Sequence, residues 1–104
     1  MTTTDPILRK FRAALGELYG DRIERVVLFG SRARGDARPD SDYDIALFLK
    51  GPIDRWAERD RIFEIEEDIR ERTGVDIRTI PLAANSFAKR TLFMHEIRKD
   101  GLDL

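Results

Sequence analysis

The chain has no cysteine and a single histidine, His95. The first absence removes disulfides, thiolate metal centres and cysteine nucleophiles together, and accords with a reducing compartment. A lone histidine on a terminal helix is read as a surface residue and is given no chemical role. Neither sign of charge is in excess. With 19 Lys and Arg against 20 Asp and Glu, the net charge is −1, so no overall electrostatic footprint marks a nucleic-acid or membrane binder. No apolar run approaches membrane-spanning length, and the opening MTTTDP lacks the basic and apolar pattern of an export signal. These absences predict a cytoplasmic protein with no membrane partner and no direct nucleic-acid binding. At 104 residues the chain predicts one domain, 1–104, with a single core and no residues left for a separate substrate domain.

What is present is concentrated around residue 30. The apolar run Ile23 to Phe29 empties into Gly30-Ser31-Arg32-Ala33-Arg34-Gly35, which predicts a strand, a tight turn and a short helix. Gly30 lets the backbone approach a ligand closely, and the first N–H groups of the helix and the Ser31 hydroxyl can donate to phosphate oxygens. Alone, such a turn is more often a plain helix cap. Past a spacer of ten residues after Ser31, however, comes Asp42-Tyr43-Asp44, running directly into the apolar Ile45 to Leu49. Alternation on a strand puts the two carboxylates on one face, with Cα atoms about 6.6 Å apart, and sends the Tyr43 ring to the opposite face and the core. Two adjacent anions need a cation, and hard carboxylate oxygens suit Mg²⁺ bridged to substrate phosphates.

A two-metal site calls for a third carboxylate. Asp76, near the start of the β-branched run Val75 to Ile80, is the candidate; Asp36 and Asp40 fall in a polar loop, and the acids from Glu58 to Glu71 alternate with arginines on a helix face read as solvated. Arg32 and Arg34 are either solvated charges or the neutralisers of triphosphate oxygens. Arg78, two residues after Asp76, shares its strand face and could pair with a carboxylate in competition with metal, or contact substrate.

The remaining elements follow from period and punctuation. Asp5-Pro6 opens a helix with Ile7, Leu8, Phe11, Ala14, Leu15, Leu18 and Tyr19 at helical spacing. Gly51-Pro52 stops the second strand. A long helix from about Asp54 to Thr73 places Trp56, Ile62, Phe63, Ile65 and Ile69 on one stripe read as core, Glu66–Arg70 and Asp68–Arg72 as surface pairs, and Gly74 as the C-cap. Pro81 is expected to end the third strand, and Ser86 to Lys99 to form the last helix. The order α-β-α-β-α-β-α predicts an α/β (α+β) fold, a small mixed sheet with helices mainly on one face.

Gly30-Ser31-Arg32-Ala33-Arg34-Gly35, the spacer, Ser41-Asp42-Tyr43-Asp44-Ile45 and Asp76 together resemble the minimal nucleotidyltransferase (MNT) branch of the DNA polymerase β-like superfamily, over nearly the whole chain. Members of that branch are commonly antitoxins of two-gene modules whose toxin is a small helical HEPN ribonuclease. The resemblance implies a palm-like nucleotidyltransferase fold and AMP transfer from ATP onto a tyrosine of such a toxin. Asp42, Asp44 and Asp76 would be the catalytic acids around two Mg²⁺ ions, with Gly30, Ser31, Arg32 and Arg34 at the nucleotide. Two alternatives stay open: transfer to a small molecule, as by kanamycin nucleotidyltransferase on aminoglycosides, and a binding module that neutralises its partner by contact alone.

Overall fold

A computed structural model describes residues 5–104; the MTTT segment read for an export signal lies outside the described residues. The first helix, α1 (Pro6–Tyr19), starts where the sequence says it should, because Asp5 Oδ1 accepts the N–H of Ile7 at 2.9 Å and proline occupies the first helical position. Its buried stripe is Leu8, Phe11, Leu15 and Tyr19. After a 3-10 turn come β1 (Ile23–Phe29), the short α2 (Ser31–Arg34) and β2 (Tyr43–Leu49). The long α3 (Arg55–Thr73) is capped by Asp54 and closed by Gly74 in the left-handed region. Next are β3 (Ile77–Ala83), a second 3-10 turn over Ala84–Ala88, α4 (Leu92–Asp100) and a two-residue β4 (Leu102–Asp103).

The four strands lie in the order β3-β2-β1-β4. β1 runs antiparallel to both neighbours, and β2 and β3 are parallel, so the sheet is mixed as expected. Odd-numbered β2 residues, Tyr43 to Leu49, face the larger core under α1 and α3, with Phe11, Leu15, Val26, Leu28, Ile62 and Ile69. The even-numbered Ala46 and Phe48 face a smaller cluster with Val27, Leu82, Met94 and Ile97, covered by α4 and the second 3-10 turn. No helix among the described residues is long and apolar enough to cross a membrane.

Several expectations are corrected. Pro81 does not end β3 but lies inside it; β3 is an edge strand, where a residue without N–H removes no ladder bond to a further neighbour. The last helix begins at Leu92 rather than Ser86, because Thr91 caps it by accepting the Met94 N–H at 3.1 Å, and residues 84–88 form their own turn. Trp56 and Phe63 are exposed, not core. The buried stripe of α3 is Glu58, Ile62, Glu66 and Ile69, so two acids read as solvated are inside. Glu66 accordingly pairs with Arg59 rather than Arg70, whose partner is Glu67, whereas the Asp68–Arg72 pair forms at 3.1 Å.

Both inward-facing acids have structural work. Glu58 accepts the Tyr19 hydroxyl at 3.0 Å and pairs with Arg22 and Arg61. Burial and that carboxylate together push the Tyr19 phenol far above its ordinary value. Glu66 accepts the backbone N–H of Thr79 at 2.8 Å, while Arg59 donates to the Thr79 carbonyl at 2.8 Å. The exposed edge of β3 is thereby capped by α3 side chains at Thr79 and has no donor at Pro81, two devices that discourage pairing with another strand.

Candidate active site

Three chain segments meet at one end of the sheet: the C-terminal end of β1, and the N-terminal ends of β2 and β3. They meet because β1 and β2 are antiparallel while β2 and β3 are parallel. Phe29 is the cross-strand partner of Asp44, and Arg78 is the register neighbour of Asp44 on the other side. The Tyr43 N–H donates to the Asp76 carbonyl at 3.0 Å, which sets the backbone of Asp76 beside the Asp42–Asp44 pair.

Gly30 caps α2 with φ of 77°, and the N–H groups of Ala33 and Arg34 both donate to its carbonyl at 3.1 Å. A Cβ at this position would lie 2.5 Å from Asp44 Oδ2. The glycine therefore does more than turn the chain. Its missing side chain is the space in which the Asp44 carboxylate sits, and Ser31 follows at the first position of α2.

Asp44 is half-buried, and among the described residues no hydrogen-bond donor is directed at its carboxylate. Burial pushes its carboxyl above the ordinary value; Arg78 pulls it down, Asp42 pushes it up and Arg34 pulls it down. Asp42, by contrast, already has a cation: Arg78 Nε lies 2.8 Å from its Oδ2. Asp76 is more exposed, and its nearest cation is Arg70 at 3.9 Å. A cavity of about 370 Å³ runs beside Asp42, Asp76 and Arg78 and is walled by Phe63, Glu66 and Arg70 of α3.

Asp42 and Asp44 fit a divalent cation: they are adjacent, hard-oxygen, and the second is an under-neutralised anion in a cradle that only glycine leaves open. The expected gathering of Asp42, Asp44 and Asp76 is not met in this arrangement, since no group of three acids or histidines close enough to share a metal occurs among the described residues. Arginines stand by two of the three instead, Arg78 on Asp42 and Arg70 beside Asp76.

The two motif arginines separate. Arg32 donates from Nε and Nη2 to the Ser41 carbonyl at 3.1 and 2.8 Å, and from Nη2 to the Pro39 carbonyl at 3.1 Å. Its guanidinium lies 4.2 Å from the centroid of the Tyr43 ring, on the sheet face away from the two acids. In this geometry it fixes the loop that delivers Asp42. Arg34 stays with the acids, close enough to act on Asp44 and 3.4 Å from Asp36. Tyr43 is core, as alternation predicts, and its hydroxyl donates to Asp5 Oδ2 at 2.7 Å, tying the start of α1 to the strand that carries the acids. That tie went unread in the sequence because it joins residues 38 positions apart.

The nucleotidyltransferase domain family model matches residues 8–100, which take in the turn, the acid pair and Asp76. The chain belongs to the nucleotidyltransferase domain family. Among its relatives is "Putative protein adenylyltransferase MJ0141" of Methanocaldococcus jannaschii, 30% identical over 98 residues that cover 94% of this chain and 95% of the relative. Among solved structures, a toxin–antitoxin complex with AMP-PNP superposes with a TM-score of 0.62 at 18% identity, covering 89% of this chain and 68% of the other. A second complex, of a tri-AMPylated Shewanella oneidensis HEPN toxin with its MNT antitoxin, gives a TM-score of 0.55 at 15% identity over 93% and 70% of the two chains. At those identities the likeness is one of fold. This nucleotidyltransferase is therefore an enzyme of nucleotide transfer, and the fold expected from the motif is the fold observed.

Proposed function

We propose that this nucleotidyltransferase transfers AMP from ATP, in the presence of Mg²⁺, to a hydroxyl of a partner protein, a tyrosine of a HEPN-type toxin, and so acts in the cytoplasm as the antitoxin of the pair. The observation that carries the chemistry is the under-neutralised Asp44 in its glycine cradle next to Asp42. The choice of acceptor is supported by the relative named as a protein adenylyltransferase over nearly the full length of both chains, and by the toxin–antitoxin complexes that share the fold.

The chain's own residues divide the work. The Gly30-Ser31 turn offers backbone N–H groups and a hydroxyl to the phosphates. Asp42 and Asp44 hold Mg²⁺, which when bound supplies charge neutralisation at the phosphates and acidifies the incoming hydroxyl. Asp76, exposed and beside the same cavity, is proposed as the third acid and accepts the hydroxyl proton. The acceptor oxygen then bonds to the α-phosphorus as the bond to the β-phosphate oxygen breaks, and pyrophosphate leaves against Arg34. Arg32 contributes by holding the 36–42 loop. Most of the acceleration comes from alignment and charge neutralisation, because phosphoryl-type transition states leave little covalent work to the protein.

Neutralisation by contact alone has one observation in its favour, the arginine partners of Asp42 and Asp76. Intact-mass spectrometry of the co-purified partner with ATP and Mg²⁺ separates the readings. AMP-sized additions that vanish with EDTA and in Asp42→Asn are expected; a silenced partner with unchanged mass would leave contact as the mechanism. Asp76→Asn is expected to slow transfer by about tenfold to a hundredfold, and a rate equal to that of the unaltered protein would remove Asp76 from the proton path.

A further inference from the structure

We propose that Arg78 is a tethered counter-cation that an entering divalent ion must displace from Asp42, so that the site takes up metal together with nucleotide rather than metal alone. The inference rests on the reading of Asp42 and Asp44 as the metal-binding pair.

Placement comes from the sheet. β2 and β3 are parallel, and their register sets Arg78 directly beside Asp44, from where its Nε reaches Asp42 Oδ2 at 2.8 Å. One guanidinium thus stands next to both carboxylates, and with Asp42 it forms an ion pair in direct contact. A divalent ion arriving at Asp42 meets a positive group already in contact with its ligand. It must break that contact and then endure the repulsion of a cation a few ångströms away.

Exposure decides whether the contact can be broken. The Asp42 side chain is 27% exposed and that of Arg78 is 73% exposed, so the guanidinium is held through Nε and the side chain is otherwise largely in water. Release costs little, because exposed ion pairs contribute modestly and the freed arginine is well solvated. Arg78 also lines the cavity that runs past Asp42 and Asp76, the open space beside the acids. A metal that enters with a polyphosphate brings the negative charge that gives the displaced guanidinium a new partner. Bare metal brings none. Metal and nucleotide should therefore each raise the other's affinity by the same factor, and Arg78 should be the source of a measurable part of it.

The test needs neither an acceptor nor turnover. Binding of Mn²⁺ is measured by electron paramagnetic resonance, without nucleotide and with saturating AMP-PNP, in the unaltered protein and in Arg78→Gln and Arg78→Ala. Both substitutions lie at an exposed position, and thermal melting checks that each variant is folded. In the unaltered protein AMP-PNP is expected to tighten Mn²⁺ by about tenfold or more. Without nucleotide, both variants should bind Mn²⁺ about two- to fivefold more tightly than the unaltered protein, and their enhancement by AMP-PNP should shrink. Adding Asp42→Asn to Arg78→Gln should abolish the gain. Bare Mn²⁺ affinity that is unchanged or weaker in both variants would overturn the proposal, as would a gain that survives Asp42→Asn. Failure of AMP transfer to a partner would leave these outcomes untouched, so the two readings fall separately.

Discussion

The carboxylates of α3 and those at the mouth of the sheet are alike in chemistry and opposite in circumstance. Glu58 and Glu66 are 3% and 8% exposed, yet each oxygen of both has a donor: Tyr19, Arg61 and Arg22 for the first, Arg59 and the Thr79 N–H for the second. Asp42 and Asp44 are more accessible and less satisfied, with Asp44 pushed towards neutrality by burial and by its neighbour. A saturated buried acid is an element of architecture, because removing it strands its partners. Among the described residues, Asp44, half-buried with no hydrogen-bond donor on its carboxylate, and Asp42, paired with a single mostly exposed arginine, are instead disposed to take a cation, because the fold has not saturated them. Burial alone would have ranked the two sets the wrong way round for function.

Replacing one member of each set breaks the comparison most sharply. Asp44→Asn should lower AMP transfer by about a thousandfold or more, while the metal-free protein melts at the same or a higher temperature, since a repelled and half-buried anion has been removed. Labelled-ATP transfer and a melting curve read both halves; a clear drop in melting temperature would make Asp44 an architectural acid after all. Glu58→Ala should do the reverse. It leaves the Tyr19 hydroxyl without its acceptor and Arg22 without its carboxylate, with an expected loss of about 3 kcal/mol in urea unfolding, and transfer per folded molecule should be unchanged. A loss below about 1 kcal/mol would put that cluster in the class of surface pairs.

Much of this molecule is written locally. The bounds of β1, the Asp5-Pro6 start of α1 and the Asp54 and Gly74 ends of α3 agree with composition because turns and caps are decided within a few residues. The glycine turn and acid pair could be read for the same reason, each being a local pattern whose meaning came from their spacing. What could not be read was non-local. β4 is two residues long and exists by pairing with Val27 and Leu28. Pro81 is tolerated because β3 has no outer neighbour, a fact of topology. The stripe on α3 keeps Ile62 and Ile69 but exchanges Trp56 and Phe63 for two glutamates at helical spacing, whose eligibility for burial depends on Tyr19, Arg22 and Thr79 elsewhere in the chain. Likewise Arg32 shares a motif with Arg34, but only the position of Tyr43 and the Ser41 carbonyl separates their roles.

The smaller predictions test α3 itself, where polarity and burial are inverted. Glu66→Ala should cost about 2 kcal/mol, because the Thr79 N–H loses its acceptor and Arg59 its carboxylate. It also uncovers the edge of β3, so concentration-dependent association by light scattering should rise with the loss of stability. Trp56→Ala should have the least effect of all. Trp56 is 84% exposed at the start of α3, and large apolar area that never leaves water contributes nothing to folding. The expected change in urea unfolding is within about 0.5 kcal/mol, smaller than that for removing Glu66 further along the same helix. A loss above about 1 kcal/mol would mean that the indole packs in solution and that the aromatic stripe first read from the helical period has a place in the core.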